Sequence, residues 1–159
     1  MVSFEFSGKR VDVGKPENLF DACQLLATKT VKCIAFDADN TLYNSHQAAP
    51  FADSAAMKLL SKKVNINFQN LYKEWQEIVE KIKDSKEPEI RTRLYSYSQL
   101  CTKYNLSSKL SQEMFSKFAD TLLVNLKVTN GIKEILENLP QDKYVVTDEI
   151  TQLADKKLT

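Results

Sequence analysis

Histidine is nearly missing from this 159-residue chain, His46 being the single one, and cysteine is sparse. Cys23, Cys33 and Cys101 form no CxxC pair and no Cys/His cluster, which argues against a zinc site. An odd, widely spaced set of cysteines reads instead as reduced thiols in a reducing compartment. Only 3 glycines and 4 prolines are present, too few for collagen-like, low-complexity or turn-rich all-β classes. Neither sign of charge dominates: 22 Lys and Arg against 21 Asp and Glu leave a net +1. A field that weak gives no reason to expect nucleic acid or an anionic membrane surface as partner. No window approaches the ~18 apolar residues of a membrane span, and the first ten residues lack the apolar stretch of a secretory signal. The expectation is a cytoplasmic protein with no nucleic-acid and no membrane partner.

The chain has the material for a packed core. Its length is about that of one domain, enough to bury roughly 68–70% of the unfolded surface, and 43% of its residues are hydrophobic. Residues 2–6 and Arg10–Val13 alternate around a turn-like Ser7-Gly8-Lys9, a hairpin pattern, and Pro16-Glu17 opens a helix, so 1–30 reads as an N-terminal extension. Val31–Phe36 is a short, almost unbroken apolar run that stops at Asp37, as expected of a parallel strand buried on both faces. A second such run, Lys143–Thr147, comes far downstream.

Between the two runs the pattern is helical. Phe68, Leu71, Trp75, Ile78 and Ile82 step by three or four behind a capping Asn67. After Lys86-Glu87-Pro88 a helix is expected from about Glu89 to Lys103, and another beyond Asn105-Leu106-Ser107 through Met114, Phe118 and Leu122. Gly131 opens a last short one that Pro140 ends. Strand, helices and strand in this order predict an α/β architecture. Residues 31–45 and 126–159 would form a partial Rossmann-like parallel sheet core, and 46–125 an inserted α-helical cap, the whole mostly helical by content.

Asp37-Ala38-Asp39-Asn40-Thr41-Leu42-Tyr43 carries the chemistry. Two carboxylates two residues apart, just past a buried strand, would project into the crevice where open α/β sheets bind ligands. One can attack an electrophile while the other moves protons. Their mutual repulsion calls for a cation, and Mg²⁺ suits oxygen ligands and readily shares a substrate phosphate. Thr41 adds a hydroxyl that can orient a carboxylate or begin the next turn. The simpler account, Asp, Asn and Thr satisfying the backbone of a turn, explains a bare DxD but not the full string.

Cys33–Tyr43 resembles the first motif of the haloacid dehalogenase-like (HAD) hydrolases, and Tyr144–Asp148 resembles their second, an apolar strand ending in Thr or Ser. The helical stretch between resembles the helical cap of one branch of that superfamily. The resemblance covers residues 31–159 and implies a Mg²⁺-dependent phosphomonoester hydrolase acting on a small phosphorylated metabolite. Asp37 would be the nucleophile, and Asp39 would protonate the leaving alcohol and then activate water. Mg²⁺ would sit on the Asp37 side chain and the Asp39 backbone carbonyl. Thr147 would hydrogen-bond the phosphoryl oxygens, with Asp148 and Thr41 at the same phosphate-binding site.

The departures from that family are equally specific. Its third, basic motif and fourth, acidic motif lie beyond the second strand, and this chain runs only to Thr159. Lys156 and Lys157 fall a turn or two early for the family's lysine, and Glu149 stands where relatives often carry Gly. The chain is therefore expected to stop after the second motif, with apolar sheet edges open to self-association. The alternative is a catalytically incompetent binding or interaction module derived from that fold; a receiver-like phosphoacceptor is disfavoured by the long insertion. Elsewhere, His46 reads as an exposed hinge histidine and Cys33 as a buried thiol. Arg91, Arg93, Tyr95 and Tyr97 could read a leaving group, although a solvated helix face accounts for them more simply.

Overall fold

The computed structural model describes residues 33–147 together with Leu153 and Lys157, so the expected hairpin and helix of residues 1–30, like Asp148, lie outside the described residues. Strand β1 (Cys33–Asp37) is followed by helices α1 (Ser45–Val64), α2 (Phe68–Ile82), α3 (Arg93–Lys103), α4 (Ser108–Asn125) and α5 (Ile132–Asn138), then strand β2 (Asp142–Val146). β1 and β2 pair in parallel, Cys33 opposite Asp142 and Asp37 opposite Val146. Parallel pairing needs a long crossover, and here the whole helical lobe is that crossover. The architecture is the α/β one expected, a small parallel sheet carrying a helical cap.

Local chemistry explains the helix boundaries. Asn67 Oδ1 accepts from Gln69 N at 2.8 Å, the cap expected from sequence. Thr92 and Ser107 cap α3 and α4 in the same way. Asn65 and Asn105 take left-handed backbone (φ 53° and 54°), a conformation asparagine tolerates, and so end α1 and α3. α3 begins at Arg93 rather than near Glu89, because Thr92 is the residue whose hydroxyl can satisfy the open amide of Tyr95.

The core belongs to the cap. Ala48, Ala52, Ala56 and Leu60 recur every fourth residue on α1, and α1 packs most extensively against α4. Small side chains along such a seam let two helix axes approach closely. Met57, Leu71, Trp75, Tyr97, Leu100 and Met114 fill the space between the helices; of the face expected around Trp75, Leu71 and Trp75 are buried and Phe68, Ile78 and Ile82 half-buried. The sheet is different. β1 alternates exposed and half-buried residues and β2 is exposed throughout, so neither strand is buried on both faces and Cys33 is an exposed thiol. An apolar run can reflect only what could cover a strand; among the described residues no helix of the lobe packs extensively against these two.

One polar cluster penetrates the core. Asp53 is buried on α1, accepts from Arg93 Nε at 3.0 Å and Nη2 at 3.3 Å, and accepts from the Tyr97 hydroxyl at 3.0 Å. The Arg93 guanidinium lies 5.3 Å from the Trp75 ring centre and 5.9 Å from that of Phe118. Trp75 Nε1 donates to Ser96 Oγ at 3.0 Å, which donates in turn to the Arg93 carbonyl. Tyr97 is thus an interior residue and Arg93 a half-buried one tied to the core, not a solvated face. A buried carboxylate with one cation and one hydroxyl is satisfied, and it fixes α3 against α1.

Two measurements follow from this core. Leu100→Ala empties a fully buried position and is expected to lower unfolding free energy by about 2–5 kcal/mol in urea titrations. Burial pushes the Asp53 carboxyl above the ordinary aspartate value, with Arg93 and the Tyr97 hydroxyl pulling the other way. The folded state therefore holds the Asp53 proton more tightly than the unfolded one. This group's contribution to stability is greatest below its unfolded value and declines as pH rises through the folded one. Carboxyl NMR should show Asp53 titrating above the ordinary range, and higher still in Arg93→Gln.

Candidate active site

The turn after β1 is built to hold carboxylates at a sheet end. Leu42 N and Tyr43 N both donate to the Ala38 carbonyl, at 2.9 and 3.2 Å, and Asn40 N donates to the Tyr43 carbonyl at 2.7 Å. Closing so tight a loop requires left-handed backbone at Asn40 (φ 61°), which asparagine accepts better than most residues. The Asn40 side chain then accepts from His46 N at 2.8 Å. It thereby caps the first turn of α1 in place of Asn44, whose side chain makes no cap bond. His46 is exposed and contributes its backbone amide, not its imidazole, to this turn.

The chain leaves and re-enters the sheet at one place. Asn44 N donates to the Lys127 carbonyl and Thr129 N to the Leu42 carbonyl, both at 2.9 Å, and Tyr43 bridges to Val128 antiparallel. The outgoing and returning segments of the cap are thus laced together beside the acidic turn.

Asp37 ends β1 and is exposed; Asp39 is half-buried and held from two sides. The Ser45 hydroxyl, on the first residue of α1, donates to Asp39 Oδ1. Lys157 Nζ donates to Asp39 Oδ1 at 2.9 Å and to Oδ2 at 3.2 Å, with only 3% of its side chain exposed. The start of α1 also presents the positive end of a helix to this carboxylate. Thr147 follows β2 directly, one residue beyond the Asp37–Val146 pair, so its backbone lies at the same sheet end. Thr41 is half-buried within the turn.

The structure places the Lys157 ammonium on Asp39, a pairing that the sequence reading does not make. The signal was present: Leu153 and Lys157 are both helical and one turn apart, so a leucine buried in the core carries the lysine inward on the same face. Nothing in the sequence alone paired that face with Asp39.

Next to Asp39 opens a cavity of about 220 Å³. Asp39, Ser45 and Lys157 form one part of its wall; Arg91, Arg93 and Phe118 of the cap form another. Asp37 is exposed and lies outside this lining. Among the described residues no three or more His, Cys, Asp and Glu side chains converge as a metal cluster would. No helix among them is long and apolar enough to cross a membrane.

No protein-family model matches the chain, and no curated protein does. Among solved structures the chain is similar to magnesium-bound YfnB of Bacillus subtilis, described as a HAD-hydrolase whose structure reveals interdomain movement. The TM-score is 0.54 at 19% sequence identity, over 82% of this chain and 59% of that one. The chain thus spans well under two thirds of the length of YfnB. A likeness at this identity is one of fold, and the fold is the HAD-like α/β arrangement with its helical cap.

Proposed function

We propose that the chain carries the nucleophile half of a Mg²⁺-dependent phosphomonoester hydrolase acting through an aspartyl-phosphate on a small phosphorylated metabolite. One observation carries the reading. Two carboxylates two residues apart and a threonine share the carboxyl ends of two paired parallel strands, and a buried lysine is fixed on the second carboxylate beside a cavity. Phosphoryl transfer asks for this combination of a nucleophile, a proton carrier and positive charge.

In this reading a carboxylate oxygen of Asp37 attacks phosphorus and the bond from phosphorus to the leaving oxygen breaks. Protonated Asp39 gives its proton to the departing alkoxide. Asp39, now a carboxylate, takes a proton from water as the water oxygen attacks the aspartyl-phosphate, releasing phosphate and restoring both groups. Because Asp39 lines the cavity and Asp37 does not, the phosphoryl group would lie on the Asp37 side and the leaving group would enter the cavity. The Thr147 hydroxyl would donate to a phosphoryl oxygen, and Lys157 and Ser45 hold Asp39 in position for proton transfer. Thr41 and Asp148 complete the proposed phosphate-binding set.

Mg²⁺ fits the donors present. The Asp37 carboxylate is exposed and the Asp39 backbone offers a carbonyl, both hard oxygens of the kind this ion takes. The Asp39 carboxylate is already engaged by Lys157, which gives coordination to the other two. When bound, the ion would offset phosphate charge as the phosphoryl group moves.

Hydrolysis of an aryl phosphate by the purified chain should depend on added Mg²⁺, be abolished by chelation, and fall by at least ~10³-fold in Asp37→Asn. Turnover that persists in Asp37→Asn overturns the covalent route. Lys157→Met should lower kcat/KM by ~10²–10³, the usual effect of removing one charge-stabilising group. Parent-like kcat/KM in that variant removes Lys157 from the mechanism.

A further inference from the structure

The cavity beside Asp39 is charged unevenly. Four ionisable side chains line it, Asp39, Lys157, Arg91 and Arg93, and three of the four are cations. Lys157 is matched by Asp39, and Arg93 by Asp53 behind the wall. Arg91 is exposed and is the cation that neither of these ion pairs absorbs.

Arg93 is held ready rather than free. Asp53 takes two of its five N–H donors, and Trp75 and Phe118 lie near the guanidinium plane. Its remaining donors belong to a side chain that lines the cavity and whose rotamer is fixed without a ligand. A guanidinium locked in this way loses little freedom when it binds an anion. Arg91 sits two residues earlier, in the turn where its amide donates to the Pro88 carbonyl at 3.1 Å. Both arginines therefore come from one short segment of the cap and meet the cavity that Asp39 and Lys157 also line.

We infer that Arg91 and Arg93 form a second anion subsite, so that the preferred ligand is a small phosphate ester whose leaving group carries its own carboxylate or phosphate. The inference rests on the orientation proposed above, phosphoryl group toward Asp37 and leaving group in the cavity. A volume of about 220 Å³ suits a leaving group of a few heavy atoms rather than a drug-sized ligand, whose pockets run ~300–1,000 Å³.

Binding without turnover tests this apart from the hydrolase reading. Three non-hydrolysable methylene phosphonates would be titrated calorimetrically into the full chain with Mg²⁺ present, one bearing a terminal carboxylate, one a terminal phosphate and one a neutral carboxamide. The charged ligands, or whichever of the two fits, should bind about 10- to 100-fold tighter than the carboxamide, the range of hydrogen bonds to a charged partner. Arg91→Gln, at an exposed position, should erase most of that advantage. A carboxylate-only advantage identifies a carboxylic acid ester, and a phosphate-only advantage a bisphosphate. Equal affinity for all three, no binding of any, or an advantage undiminished in Arg91→Gln overturns the subsite. Charge-selective binding by a chain that hydrolyses no phosphate ester would retain the subsite and defeat the hydrolase reading.

Discussion

Parallel pairing of two five-residue strands, with five helices threaded between them, is the constraint from which the site follows. Because the strands run the same way, both carboxyl ends emerge at one edge. Asp37 and Thr147 become neighbours there although most of the described chain separates them in sequence. An antiparallel pairing would put them at opposite ends. The register matters equally: Asp37 faces Val146, so the residue after each strand reaches the same level. A slip of one residue would carry the Thr147 side chain to the other face of the sheet.

The helical lobe supplies its own stability and lends little to the sheet. Its core is continuous from Ala48 to Leu122, and its buried polar atoms are paired through Asp53, Arg93, Tyr97, Trp75 and Ser96. Lobe and sheet are joined by backbone hydrogen bonds between 42–44 and 127–129, by Ser45 on Asp39, and by Leu153 in the lobe's core. The candidate site sits beside this junction, with the Asp39 turn on the sheet side and the two arginines on the cap side. Cap position therefore governs the distance between the proton carrier and the proposed anion subsite.

Charge placement around Asp39 shows how one group can serve both folding and chemistry. A half-buried carboxylate is costly unless paired, and here a serine hydroxyl, a helix start and a buried ammonium share it. The same contacts fix its direction toward the cavity. Asp37 has no comparable burial and stays open to solvent, as a nucleophile or metal ligand must. The two carboxylates of one DxD string thus have different environments two residues apart.

Much of this was legible in the chain itself. The apolar runs ending at Asp37 and Thr147, the period around Trp75, and the cap at Asn67 all obey local rules, and local rules act within a few residues. The acidic string announced its chemistry because few other needs put two carboxylates and a threonine just past an apolar strand. Three features were decided only by tertiary packing. The exposure of β1 and β2 depends on what packs over them, which composition cannot register. The inward turn of Arg93 and the burial of Tyr97 depend on Asp53, some forty residues away on another helix. The meeting of Lys157 with Asp39 joins groups 118 positions apart, a distance at which sequence fixes residue type but only the fold fixes proximity.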